Sequence, residues 1–73
     1  MQRVAIDREP VELYKILKFE GLCASGAEAK NAVADGLVQV NGEQELRKRR
    51  QIVGGDVIEF NGDVLSIVLE TSG

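Results

Sequence analysis

The chain of 73 residues contains no histidine, no tryptophan, one cysteine and one proline. A single cysteine excludes a disulfide within the chain, and without histidine the usual zinc sites cannot form. We therefore expect no metal and no other cofactor, and we favour a small buried or half-buried thiol between the two helices over a redox role for Cys23. No apolar run approaches the ~20 residues that span a bilayer, and the N-terminal segment lacks a secretory hydrophobic region. These absences predict a cytoplasmic protein without membrane contact.

Groups that carry out catalysis are also scarce. No histidine can activate Ser25 as a nucleophile, and a helix-capping role explains this serine fully. The acidic residues are scattered singly, without the paired setting that tunes carboxyl groups for acid–base chemistry. No phosphate loop of the Gly-x-x-x-x-Gly-Lys type occurs, and Gly54-Gly55-Asp56 is interpreted as a turn. The sequence therefore predicts a protein that is not an enzyme and has no small-molecule substrate.

The stretch from Ser25 to Gly42 predicts a helix, its end, a strand and a hairpin turn in that order. Ser25 and Glu28 have the spacing of a capping box, in which Glu28 bonds back to the amide of Ser25. Gly36 lies where a left-handed residue ends a helix. The buried face of this helix is predicted to comprise Ala29, Ala32 and Val33.

Three strands and two Asn-Gly turns are predicted in the second half of the chain. Residues 38 to 40 alternate as a strand, and Asn41-Gly42 supplies the positive φ angles of a type I′ hairpin turn. Asn61-Gly62 repeats that signal between predicted strands at 57–60 and 64–69. The sequence therefore predicts a mostly antiparallel sheet.

The N-terminal third predicts a strand and a first helix. Val4 and Ile6 are expected in an edge strand, and Pro10 in the first turn of a helix that runs to about Phe19, with Gly21 ending it. The buried stripe of this helix is predicted to comprise Leu13, Ile16 and Leu17.

The predicted elements fit one domain over residues 1–73, because a chain of this length can enclose only one core. A short connection makes the two helices a compact hairpin, which packs on the small, mostly antiparallel sheet of an α+β fold. Phe19 and Phe60 are interpreted as core residues. Residues 71–73 are expected to form a frayed tail.

The run Arg47-Lys48-Arg49-Arg50, hereafter the basic run, is the strongest candidate for function. Four adjacent cations repel one another and should gain nothing from a core, so an anionic partner is expected to compensate them. The net charge of the whole chain is −3, so the remaining residues are strongly acidic and the basic run is a local patch. The alternative is a solvated loop that Glu43 and Glu45 partly neutralise.

The motif in this central stretch resembles that of the S4 RNA-binding domain family; its positions here are Ser25, Ala29, Val33, Gly36, Val38, Val40, Asn41 and Gly42. The likeness covers about residues 11 to 60. It is greatest to small stand-alone bacterial S4-like proteins, which carry Leu-Lys-x-Glu-Gly before the second helix and an Arg-Lys-Arg run after the hairpin. Gly26 is a departure, because many S4 domains have an arginine there.

The resemblance implies an αL-type motif whose helix pair and following loop bind RNA. It adds Lys15, Lys18 and Lys30 to the basic run as expected RNA contacts, and it implies that the chain binds structured RNA, with ribosomal RNA as the family-level expectation. We expect the chain to be a monomer. Tyr14 could stack a base, although a tyrosine covering the rim of the core is favoured. Two alternatives are a module that binds an acidic protein and an accessory domain that acts with a separate RNA-modifying enzyme.

Overall fold

The structure, a computed structural model, describes residues 1–70, so the tail predicted at 71–73 lies outside the described residues. Within these residues, two short helices, α1 (Leu13–Phe19) and α2 (Gly26–Ala34), pack beside seven strands that are joined by turns and loops. The strands are β1 (Gln2–Ile6), β2 (Val11–Glu12), β3 (Val38–Val40), β4 (Glu43–Gln44), β5 (Gln51–Ile52), β6 (Val57–Phe60) and β7 (Asp63–Leu69).

A five-stranded sheet has the order β1-β7-β6-β3-β4. Its neighbours pair antiparallel, except that β1 runs parallel to β7, with Val4 opposite Ile67. The predicted edge strand and the mostly antiparallel sheet are therefore confirmed. Both Asn-Gly turns have the predicted positive φ angles, for example 54° at Asn41 and 83° at Gly42. These turns hold β3 against β4 and β6 against β7.

Helix α2 begins and ends where its sequence predicts. The Ser25 hydroxyl accepts a hydrogen bond from the Glu28 amide at 3.1 Å. The Glu28 carboxylate accepts from the amide of Ala24 at 3.0 Å, one residue before the predicted partner. At the other end Gly36 has φ +76°, and the amides of Gly36 and Leu37 donate back into the last turn. This arrangement satisfies carbonyl groups that the end of a helix leaves without partners.

Helix α1 begins three residues later than Pro10, so the prediction that Pro10 lies in its first turn is wrong. The residues between them form β2, which pairs antiparallel with β5 in a separate two-stranded ladder. Residues 11 and 12 are thus drawn into an extended conformation by a partner about 40 residues along the chain. No local pattern signals that pairing.

The core lies between the helices and one face of the sheet, and the predicted buried stripes of both helices are confirmed. Cys23 is buried as predicted, and Phe60 packs against the margin of the core. Phe19 was predicted to be buried, but it is 70% exposed. The physical reason is helical geometry, because residue 19 is two positions after the buried Leu17 and therefore points to the opposite side. Within residues 1–70, no helix is long and apolar enough to cross a membrane.

Candidate nucleic-acid interface

The basic run is attached to the start of helix α1. The carbonyl oxygen of Arg50 accepts from the amide of Leu13 at 2.9 Å, and that of Lys48 accepts from the amide of Tyr14 at 3.1 Å. The first amides of a helix have no partner within the helix, so the basic run supplies the missing acceptors. A turn within the run is closed by the Arg50 amide, which donates to the Arg47 carbonyl at 3.0 Å. The backbone of this loop is therefore fixed in place.

Glu45 organises one side of the basic run. Its carboxylate is buried, and it accepts from the Arg47 side chain at 3.0 Å, from the Arg47 amide at 3.1 Å and from the Arg50 guanidinium at 2.6 Å. The hydrogen bonds from Arg47 lower the pKa of Glu45 to about 2, although burial acts in the opposite direction. The expectation that all four cations gain nothing from the folded structure is therefore wrong for Arg47 and Arg50.

Tyr14 is the centre of a second cluster. The ammonium of Lys30 lies 4.7 Å from the centroid of its ring, the guanidinium carbon of Arg49 lies at 5.8 Å and the ammonium of Lys15 at 6.0 Å. At these distances the negative face of the ring attracts cations. Three of the predicted contact residues, from α1, α2 and the basic run, thus meet at one half-buried aromatic side chain. We call these four residues the Tyr14 cluster.

Glu12 is the acidic neighbour of the Tyr14 cluster. One of its carboxylate oxygens lies 3.2 Å from the Lys15 ammonium and the other 3.0 Å from the Arg49 guanidinium. The pKa of Glu12 is lowered, chiefly by the hydrogen bond from Lys15 and also by the bond from Arg49. Two of the three cations of the cluster, Lys15 and Arg49, thus share one carboxylate, while Lys30 contacts the Tyr14 ring, and the local charge remains positive.

Three predicted contact residues carry a charge without a carboxylate partner. Within residues 1–70, none of Lys18, Lys30 and Lys48 has a carboxylate oxygen within 4.0 Å, although Lys30 lies against the Tyr14 ring. The side chains of Lys18 and Lys48 are exposed. Lys48 is in the basic run, whereas Lys18 lies one helical turn beyond Tyr14 on α1. The structure therefore divides the seven predicted residues into three groups: Arg47 and Arg50 at Glu45; Lys15, Lys30 and Arg49 at Tyr14; Lys18 and Lys48 unpaired.

Sequence reasoning missed the two carboxylates that organise this surface. The spacing of Glu12 and Lys15, three positions apart on a helix boundary, is a signal that could have indicated their ion pair. Glu45 has no such signal, because nothing in the local sequence separates it from the exposed Glu43. The sequence indicates only a charge that partly neutralises the loop. The amide of Glu45 donates to the carbonyl of Val38 in β3 at 2.9 Å, so the backbone of Glu45 is attached to the sheet.

Cys23 is the remaining side chain that could be reactive, and it is buried in the core. Burial raises the pKa of its thiol, and the nearby carboxylate of Glu28 raises it further. A raised pKa keeps the thiol protonated, which is the unreactive form. Within residues 1–70, no group of three histidine, cysteine, aspartate or glutamate side chains is placed to hold a metal ion.

Comparison with known sequences yields a family and two informative relatives. The family described as S4 domain matches residues 4–68. YbcJ of Escherichia coli (strain K12) is 44% identical over 69 residues, which are 93% of this chain and 99% of YbcJ. RlbA of Bacillus subtilis (strain 168), a probable ribosome maturation protein, is 36% identical over 59 residues, which are 81% of this chain and 83% of RlbA.

Solved structures agree with the sequence comparison. The solution structure of YbcJ from E. coli, described as revealing an αL motif involved in RNA binding, matches 93% of this chain and 87% of its own. The TM-score is 0.71 and the sequence identity is 42%. The 30S ribosomal protein S4e from Thermoplasma acidophilum matches 78% of this chain and 30% of its own, with a TM-score of 0.59 and 30% identity. The predicted α+β fold with an αL motif is confirmed.

Proposed function

Because this chain belongs to the S4 domain family, we propose that it is a non-catalytic RNA-binding module that acts as a monomer on structured RNA. The observation that carries the proposal is the convergence of cations from α1, α2 and the basic run at the Tyr14 cluster. The αL motif of YbcJ, described as involved in RNA binding, supports RNA as the ligand. The proposed contact residues are Lys15, Lys18, Lys30, Arg47, Lys48, Arg49 and Arg50.

The proposed contacts differ in what they supply. Lys48 carries a charge with no acidic neighbour in residues 1–70, so binding a phosphate there requires no internal ion pair to break. Arg49 offers a planar donor fork that meets phosphate through two hydrogen bonds, although it first has to share or leave Glu12. Arg47 and Arg50 are held on Glu45 and position the loop, while the exposed guanidinium of Arg47 adds positive charge. The acidic remainder of the surface would confine phosphate to this face.

Ribosomal RNA is the target that we propose. The support is the ribosome maturation role in the name of RlbA and the structural likeness to a 30S ribosomal protein. Recognition would depend on shape, since the helix pair and the loop are joined by backbone hydrogen bonds and present their cations from fixed positions. A ribosomal target would place the protein in the cytoplasm.

The test is a titration with a folded ribosomal RNA fragment at several salt concentrations, using Lys48→Glu and a charge-matched control, Arg3→Glu. Arg3 lies on edge strand β1 and is exposed, on the strand face opposite to the buried Val4 and Ile6. We expect Lys48→Glu to weaken binding by about tenfold and to reduce the slope of log K against log salt by roughly one. Arg3→Glu should leave both quantities close to those of the wild type.

Equal behaviour of the two variants and the wild type would remove Lys48 from the binding surface. The alternative, an acidic protein partner, predicts that wild-type protein has no measurable affinity for folded RNA and purifies without an excess of absorbance at 260 nm. A steep salt dependence with RNA present favours the proposal over that alternative, because each phosphate contact releases counterions from the RNA.

A further inference from the structure

Helix α1 carries an outward face that the core explains only in part, since Tyr14 packs against the core and Phe19 does not. The face consists of two aromatic and two cationic side chains, Tyr14, Lys15, Lys18 and Phe19. Tyr14 is four residues before Lys18, and Lys15 is four residues before Phe19, so each aromatic side chain has a cation one helical turn away. Phe19 is 70% exposed and is not among the residues that pack against the core. Two of the three aromatic residues of the chain are therefore on this face.

These side chains border a single open groove between β1 and α1. Its lining includes Tyr14, Lys15, Lys18 and Phe19 on the helix side and Ile6 on the strand side. Gly26, at the start of α2, also lines the groove, and a side-chain carbon at this position would lie 3.8 Å from the Tyr14 ring. The absence of a side chain there keeps that part of the ring uncovered.

The lining of the groove carries three acidic and three basic side chains, and positive charge from Lys30 and Arg49 lies beside it. Asp7 lies 3.6 Å from Arg8, and Glu12 pairs with Lys15 and Arg49, whereas Glu20 accepts from the uncharged side chain of Gln2 at 3.2 Å. Lys18 has no acidic neighbour within residues 1–70, and Lys30 reaches the Tyr14 ring from α2. Unpaired positive charge is thus found beside both ends of the aromatic face.

We propose that this groove binds unpaired nucleotides of the RNA, with Tyr14 and Phe19 stacking on bases and with Lys15, Lys18 and Lys30 contacting the phosphates between them. Aromatic side chains interleaved with cations suit single-stranded nucleotides, because each nucleotide offers both a flat apolar face and a negative charge. Paired bases in a helix would offer only the phosphates. The inference rests on the proposed function and specifies which part of a structured RNA the protein reads.

The experiment compares two stem-loop RNAs that differ only in a three-nucleotide bulge, which carries bases in one and abasic sugars in the other. The proteins are the wild type, Phe19→Leu, Tyr14→Leu, Tyr14→Phe and the control Leu37→Ser, which removes a different exposed apolar side chain. We expect the wild type to prefer the bulge with bases by about tenfold or more. Phe19→Leu should lose most of that preference without a change in salt slope, whereas Tyr14→Phe and Leu37→Ser should keep it.

Tyr14 also supplies a spectroscopic signature, because it is the single tyrosine of a chain without tryptophan. Stacking of a base should shift the ring proton resonances of Tyr14 upfield with the base-bearing bulge and not with the abasic one. Because Tyr14 packs against the core, the binding data for Tyr14→Leu are used only if its unfolding transition matches that of the wild type. If the transition differs, the test depends on Phe19→Leu.

The outcomes separate the two proposals. If the wild type binds both RNAs equally tightly with a normal salt slope, and Phe19→Leu behaves in the same way, RNA binding stands and the nucleotide groove is overturned. If Phe19→Leu weakens binding to both RNAs equally, the groove does not read bases and is also overturned. If the wild type binds neither RNA, the proposed function itself fails.

Discussion

Glu45 and Glu12 each bind two cations of the proposed RNA surface, but their surroundings differ. Glu45 is 7% exposed, and the loop folds over it so that Arg47 donates from both its side chain and its amide. The side chain of Glu12 is 26% exposed and lies beside the open groove, where it holds only the ends of Lys15 and Arg49. The carboxylate of Glu45 therefore fixes the conformation of the loop, whereas the ion pairs of Glu12 lie where a ligand could reach them.

The difference teaches how a small acidic protein can present a basic surface. A carboxylate that is buried under its arginines sets the path of the loop, and its loss would leave the loop without an anchor. In the proposed binding mode, a carboxylate at the rim of the surface would compete with phosphate for the same donors. Since partly exposed ion pairs contribute little to stability, a phosphate of the proposed RNA ligand would replace Glu12 with little disturbance of the fold.

The largest effect on stability should follow from removing the negative charge of Glu45. We expect Glu45→Gln to lower the free energy of unfolding by about 1–2 kcal/mol, because the charge-assisted hydrogen bonds from Arg47 and Arg50 are lost while Arg47 remains largely exposed to water. Glu12→Gln should change stability much less. Urea denaturation of both variants measures the difference. Equal destabilisation by the two substitutions would contradict the conclusion that Glu45 stabilises the fold more than Glu12 does.

A smaller difference should appear with pH. The pKa of Glu45 is lowered from 4.5 to about 2 by folding, so its contribution is complete above pH 4.5 and is lost as the pH falls toward 2. The wild type should therefore lose its advantage over Glu45→Gln across this window. Unfolding free energies at pH 6, 4 and 3 provide the measurement, and a constant advantage down to pH 3 would show that Glu45 does not act through its ionised form.

The smallest effect concerns RNA affinity at the rim. Glu12→Gln releases Lys15 and Arg49 from their shared carboxylate and removes a negative charge beside the proposed phosphate contacts, so we expect severalfold tighter binding of folded RNA. Glu59→Gln is the matched control, because Glu59 is an exposed acid on β6, in the middle of the sheet. The measurement is a titration at low and moderate salt. Weaker binding by Glu12→Gln alone would mean that Glu12 orients its cations and does not compete for them.

Local chemistry made much of the fold predictable. The cap at Ser25, the left-handed Gly36 and the two Asn-Gly turns depend on bonds within a few residues, so each can be read from a short stretch of chain. The buried stripes of the helices follow from helical periodicity alone. The same periodicity, applied to Phe19, would have placed it outside the core.

The parts that could not be predicted depend on residues far apart in the chain. Pro10 lies outside α1 because β2 pairs with β5, and Arg49 reaches Glu12 across 37 positions. The sequence by itself determined α2, the strands β1, β3, β6 and β7, the two Asn-Gly turns and the presence of a basic run. Only the tertiary structure decided that Arg47 and Arg50 fold over a buried Glu45, and that Lys15, Lys30 and Arg49 gather at Tyr14. Ion pairs and cation–π contacts depend on distance in space and produce no periodic pattern in the sequence, so the partners of these cations could be identified only from the tertiary structure.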